Sequence, residues 1–278
     1  MTTLDTSETT APGTARPVYR VTPARVFRSE LTKLCSLRST WFLLAGVGAA
    51  LVGLAALFAA AYASDVDAGR AEPSTAAAID TSFDALHLGS LLIVVLGMMQ
   101  MTGEYASGSI RPSLTAVPRR LPLLWAKALA ITAVIAPVML LVCSASFLTG
   151  QAVAGEHGAG LGDGGALRAV ITGPLTVVAL ALVGLGLATV IRHTAAALTT
   201  YVGVMLVAPA LLALAVPEPV RDAVLPFHPG LAAEAVYTLD TASSQTDLLA
   251  PGTAGAVLAV YIVLALAAGA VVLRVRDV

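Results

Sequence analysis

Charge is what this sequence has least of. Only 12% of its 278 residues are Asp, Glu, Lys or Arg, about half the roughly 25% of a soluble domain. Lysine is scarcer still, since Lys33 and Lys127 stand against fourteen arginines. That bias, with the Ala-rich usage, points to a bacterial genome of high GC content. There are two cysteines, Cys35 in a basic N-terminal segment and Cys143 inside a hydrophobic run. A disulfide framework and a cysteine-based metal site are both excluded on that count. The four histidines, His87, His157, His193 and His228, are scattered along the chain, and an outward pair such as His157 and His228 is a weak basis for a metal site. No H-E-x-x-H or G-x-S-x-G occurs, so zinc protease and serine hydrolase chemistry have no footing. The glycine-rich run Gly158–Gly165 contains no lysine, as a phosphate-binding loop would require, and reads as a flexible turn. The chain therefore carries no catalytic, cofactor or metal apparatus of its own, and its net charge of −1 gives no ground for a nucleic-acid partner.

What the chain has is apolar length. Hydrophobic residues make up 57% of it and the mean hydropathy is +0.86. They lie in blocks rather than amphipathic stripes. At 1.5 Å per residue, about 20 residues cross a hydrocarbon core of about 30 Å. Six segments meet that length: Trp41–Ala63, Phe83–Thr102, Leu123–Leu148, Ala169–Ile191, Thr194–Val216 and Thr253–Leu273. The fold class predicted is an all-α integral membrane protein of six transmembrane helices. The first run ends in Ala61-Tyr62-Ala63, like a signal-peptidase site, but forty residues precede it. A secretory signal has a short charged start and an apolar core of about 7–15 residues, so this run reads as an uncleaved anchor. Pro137, Pro174 and Pro209 fall within or near the ends of three spans, where neighbouring helices can satisfy the freed carbonyls. Ala45, Ala49 and Gly53 on the first span, and Ala265 and Gly269 on the last, form small-residue ridges suited to close helix contact.

Residues 1–21, rich in Thr, Ser, Ala and Pro, read as a disordered cytoplasmic tail, and 22–278 as the membrane domain. Thr22 is a capping residue and Pro23 suits a first helical position. Phe27, Leu31, Leu34 and Trp41 then recur at helical spacing, while Arg25, Arg28, Lys33 and Arg38 take other faces. This segment is expected to form an amphipathic helix at the membrane surface. The loops on one side hold thirteen Lys and Arg residues and those on the other only Arg70, Arg168 and Arg221. The positive-inside rule then places both termini in the cytoplasm, consistent with an even number of spans. Ionisable residues are nearly missing from the spans. Asp84 and His87 lie near an outer end and Glu104 near an inner one, which disfavours a stand-alone ion- or proton-coupled transporter.

The link between the second and third spans, Gly103 to Lys127, is the most informative stretch. Glu104 stands at the membrane exit, Gly108 and Ser109 permit a turn, Pro112 and Pro118 restrict it, and Arg111, Arg119 and Arg120 crowd it. An ordinary topology-fixing loop and a docking element for a cytoplasmic partner both fit these residues. Glu104-x-x-x-Gly108-Ser109-Ile110, followed by Leu114, Pro118, Arg119 and Lys127, resembles the signature after the second span of type-2 ABC transporter permeases. Ser109 stands where threonine is common, and Arg119 and Arg120 follow Pro118 directly. Ser29–Leu34 with Leu37–Trp41 is similar to the opening of many actinobacterial-type members.

The resemblance implies a six-helix permease in the bacterial plasma (inner) membrane, with an amphipathic entry helix and a cytoplasmic coupling helix between spans two and three. Two permeases, alike or different, would pair around a substrate path, and separate ABC ATPase subunits would dock on Glu104, Gly108, Arg111, Pro118, Arg119 and Arg120. Members export drugs, peptides, lipids or polysaccharides. The last outward loop, Pro217 to Pro251, suits the family's re-entrant helices, with a short helix over residues 231–236. The alternative of another class is a membrane-embedded regulatory or interaction protein that transports nothing.

Overall fold

A computed structural model describes residues 22–116, 120–239 and 248–275; the expected tail, 1–21, lies outside the described residues. Among the described residues there are twelve α-helices and no strand, and six helical segments are long and apolar enough to cross a membrane. The chain is thus an all-helical protein of the multi-pass membrane type.

Helix α1 runs over Pro23–Ser36; the Thr22 hydroxyl accepts from the Arg25 N–H at 3.4 Å and proline occupies its first turn. Leu37 is extended, and α2, Arg38–Asp67, is the first span. The Trp41 indole N–H donates to the Cys35 carbonyl at 2.9 Å, closing the elbow between them. After the short α3, Thr75–Asp80, comes the second span α4, Leu86–Ser107. It starts later than hydropathy suggests because residues 81–85 form turns, and it runs a turn beyond Thr102. Gly108 ends it at φ 71°, a left-handed conformation that costs any residue with a β-carbon about 1 kcal/mol. Helix α5, Ile110–Ala116, leads towards the third span α6, Leu121–Ala154, and the fourth, α7, covers Ala166–Ile191.

The fifth span is interrupted. Helix α8, Thr194–Val202, passes into a π turn, Gly203–Val207, and then α9, Ala208–Ala215. Pro209 explains the change of winding: its ring would crowd the carbonyl of residue 205 in a regular helix. The widened turn, with Ala208 N–H bonded to the Gly203 carbonyl, relieves that crowding. Helices α10, Glu218–Val224, and α11, Pro229–Tyr237, form the opposite-end cap before the sixth span α12, Pro251–Val275. The short helix expected at 231–236 lies within α11.

Span α7 is the axis. It packs against α4, α12, α6 and α11, while α2 rests on α6. Lipid tails offer no hydrophobic drive between helices, so contact rests on close fit. A β-carbon at Gly97 of α4 would lie 2.5 Å from the Ala181 carbonyl oxygen of α7. One at Gly186 of α7 would lie 2.5 Å from the Ala265 main chain of α12. The Ala265–Gly269 ridge of the last span is therefore a true contact with α7. The ridge on α2 is different: Ala45, Ala49 and Gly53 are exposed, and it is Gly48, beside Val142 of α6, that is buried.

At the end of the bundle away from α1, side chains hold loops by their backbone. Gln151 donates to the Ala78 carbonyl (2.7 Å) and Ser82 Oγ (3.0 Å) while its Oε1 accepts from Ala159 N–H (2.7 Å). Arg168 donates to the carbonyls of Val236 (2.8 Å) and Thr238 (3.0 Å), and Asp80 accepts from Leu239 N–H.

Overpacking a closed interface costs about 1–3 kcal/mol even where side chains can move, and the atoms facing Gly186 are main chain. Gly186→Val is expected to lower the thermal midpoint in detergent clearly, whereas Gly53→Val, with open space around it, leaves it unchanged. Equal midpoints for the two variants would remove the α7–α12 contact from its central place.

Candidate functional site at the basic end

The largest concentration of buried charge lies where α1, α4 and α6 meet. Glu30 of α1 is 2% exposed, Lys127 of α6 is 1% exposed and Glu104 of α4 is 9% exposed. Lys127 Nζ donates to Glu30 Oε2 at 2.7 Å and to Glu104 Oε1 at 2.8 Å. Lys33 Nζ, more open, donates to Glu30 Oε1 at 2.6 Å, to the same Glu104 oxygen at 2.8 Å, and to Ser113 Oγ of α5 at 3.4 Å. Both lysines of the sequence are thus spent on one site, and two carboxylates balance two ammoniums. The choice of lysine has a chemical reason: its compact head carries three donors that different helices can share, whereas a planar guanidinium suits one bidentate partner. Burial works against the Lys33 ammonium, but its bonds to Glu104 and Glu30 outweigh it, and its pKa lies above the ordinary lysine value. Glu104 Oε2 is buried with no hydrogen-bond partner.

Around the cluster, further polar contacts gather the same end of the bundle. Thr194 of α8 donates to Thr102 of α4 at 2.8 Å. Arg192, at φ 63°, caps α7 and lays its guanidinium over the Tyr105 ring, 5.1 Å from the centroid. Beside Lys33 and Glu104 opens a groove of about 510 Å³ between the α1–α2 elbow and α4, with Leu37, Leu43, Leu96 and Met99 in its walls.

The six residues singled out from sequence divide. Glu104 is in the cluster. Gly108 caps α4 and turns the chain into α5, on which Arg111 is exposed. Arg120 donates to the Leu273 carbonyl at 2.8 Å, tying the start of α6 to the end of α12. Pro118 and Arg119 lie outside the described residues. The partners of Glu104 that were not placed in the candidate site, Glu30, Lys33 and Lys127, had visible signals: the chain's two lysines both stand near span entrances, Lys127 closes the permease-like signature that Glu104 opens, and Glu30 and Lys33 lie in the Ser29–Leu34 stretch. The histidine pair, by contrast, is already engaged. His157 Nε2 bonds Asp67 at 2.8 Å, and both His228 nitrogens have partners. Among the described residues no group of three or more His, Cys, Asp or Glu is placed to hold a metal ion. No protein-family model matches the sequence, and no curated protein matches it.

Removing one partner of a buried ion pair leaves an uncompensated charge and costs about 3–5 kcal/mol. Lys127→Met is therefore expected to lower thermal stability in detergent strongly, and Lys127→Met with Glu104→Gln to regain part of the loss. A single variant that melts like the wild type would show that the cluster does not hold α1, α4 and α6 together.

Proposed function

We infer that this chain is the membrane-spanning permease subunit of an ATP-driven ABC exporter, with ATP hydrolysed by a separate subunit. The observation that carries the reading is the four-charge cluster. It joins α1, the exit of span two and the entry of span three into one unit beside α5, the short helix of the link whose residues resemble the permease signature. A push on α5 or α1 from an ATPase would pass into both spans without slack, because the ion pairs cannot stretch without exposing charge to lipid. In this reading α1 is the amphipathic entry helix, α5 the coupling helix, and the basic end faces the cytoplasm of a bacterial cell, as the positive-inside count requires. A second permease, alike or different, would complete the substrate path. The apolar walls of the groove beside Glu104 suit a lipophilic cargo.

Arg111 is the cleanest probe, since it is exposed on α5 and takes no part in the ion pairs of the cluster. The tagged protein, purified from gently solubilised native membranes, is expected to bring down an ATP-binding cassette subunit. Arg111→Glu should reduce that recovery and the stimulated ATP hydrolysis about tenfold while leaving membrane insertion intact; a salt bridge at an interface is worth that much when its partner is fixed. Recovery of no ATPase with the wild-type chain would favour the non-transporting regulatory protein instead.

A further inference from the structure

His228 links the start of α11 to the middle of the fifth span through both of its ring nitrogens. Nε2 lies 2.8 Å from the Val204 carbonyl oxygen in the π turn of the fifth span, and Nδ1 accepts from Gly230 N–H at 3.2 Å, capping α11. Both partners set the tautomer. A carbonyl requires hydrogen on Nε2, and an amide N–H requires a bare Nδ1, so the ring is neutral in this arrangement. The need for the first bond comes from the sequence. Ala208 N–H already serves Gly203 in the π register, and the next donor in line for Val204 would be residue 209, a proline without an N–H. Helix α11 itself is anchored elsewhere, on α7 and α12, while the fifth span is the least enclosed of the six.

We propose that His228 is a proton-controlled latch on α11: its neutral ring bridges the π turn of the fifth span and the first turn of α11, and protonation on Nδ1 opens the Gly230 end of that bridge. The added hydrogen would face the Gly230 N–H donor to donor. The Nε2–H bond to the Val204 carbonyl is kept, and strengthened by the charge of the ring. The first turn of α11 then loses its cap, while the body of the helix stays on α7 and α12. The latch does not depend on the exporter reading.

The surroundings favour the neutral ring. Burial pushes the His228 pKa below the ordinary histidine value; the Val204 bond opposes this and the charge of His87 adds to it. A folded-state pKa below the unfolded one means that the contribution is complete above about pH 6.5 and is lost as pH falls below that. His87 of α4 faces the same point, since a β-carbon at Gly230 would lie 3.1 Å from each ring. Helix α10 brings Glu218, Arg221 and Asp222, which pair with one another. From α12, Tyr261 donates to the Phe227 carbonyl at 3.2 Å. The π turn and α9 carry no titratable side chain. On α11 and the turn before α4, Glu234 and Asp84 also have raised pKa values, through desolvation in both cases and, for Asp84, the charges of Asp80 and Glu234. Acids of that kind gain protons as pH falls and act against the latch, so the test must separate them from His228.

Hydrogen–deuterium exchange of the full chain in lipid nanodiscs, at about pH 7.5 and about pH 5.5 with intrinsic rates corrected, makes that separation. In the wild type the first turn of α11 is expected to lose roughly fivefold in protection on acidification, the effect of one lost helix cap. His228→Asn keeps a capping acceptor and does not titrate, so its α11 protection should be the same at both values. Unchanged α11 protection in the wild type, or the same acid loss in His228→Asn, would overturn the proposal.

Discussion

Lys127 sits at the entry of a membrane span with 1% of its surface exposed, and a charge so placed is tolerable only beside compensating charge. An isolated ammonium in a medium of low dielectric loses far more than any packing contact returns. Two carboxylates therefore have to be brought to it, and they come from α1 and α4, 97 and 23 residues away in sequence. Lys33 then balances the second negative charge. For these four groups to meet, α1 has to lie against α6 and α4 has to run beyond Thr102 to carry Glu104. An apolar junction of the same shape would have been as stable or more so.

Away from that end, order depends on small residues. Gly97 and Gly186 let α4 and α12 approach the α7 main chain closely, which dispersion and weak contacts reward only at short range. The fifth span has open space beside Gly203 at its π turn and is held partly by hydrogen bonds at its start, Thr194 to Thr102, and at its middle, Val204 to His228. The molecule thus has a rigid middle of α4, α6, α7 and α12, and one span attached more loosely beside it.

Local features of this architecture were legible in the sequence. Six apolar runs, the Thr22–Pro23 helix start, the turn at Gly108 and the small-residue ridge at Ala265 and Gly269 all follow from chemistry within a few residues. The remainder depended on distant partners. Helical spacing put Lys33 on a polar face of α1, which is true, yet nothing within α1 says that this face meets Glu104. Glu30 looked like one more charge in a basic segment. The ridge on α2 has the same composition as that on α12 but meets no other helix of this chain, because small residues permit close contact without specifying a neighbour. Pro209 was visible as an irregularity in a span, but its consequence, a carbonyl served by a histidine from another element, requires knowing the π register and the position of α11.

The two ends of the bundle are held by groups of different chemistry. At the basic end, carboxylates and ammoniums are mutually compensated, and Lys33 is stabilised in its charged form. At the opposite end Arg168 and Asp80 hold loop backbone beside the Gln151 amide, and two further side chains have displaced titrations. Asp84 is pushed up to about 6 by desolvation and by Asp80 and Glu234, and His228 is pushed down. Their signs oppose each other. As pH falls through about 6 a proton on Asp84 relieves repulsion around α11 and strengthens the folded arrangement, whereas a proton on His228 removes a cap and weakens it. Global stability can therefore remain flat while the first turn of α11 changes locally.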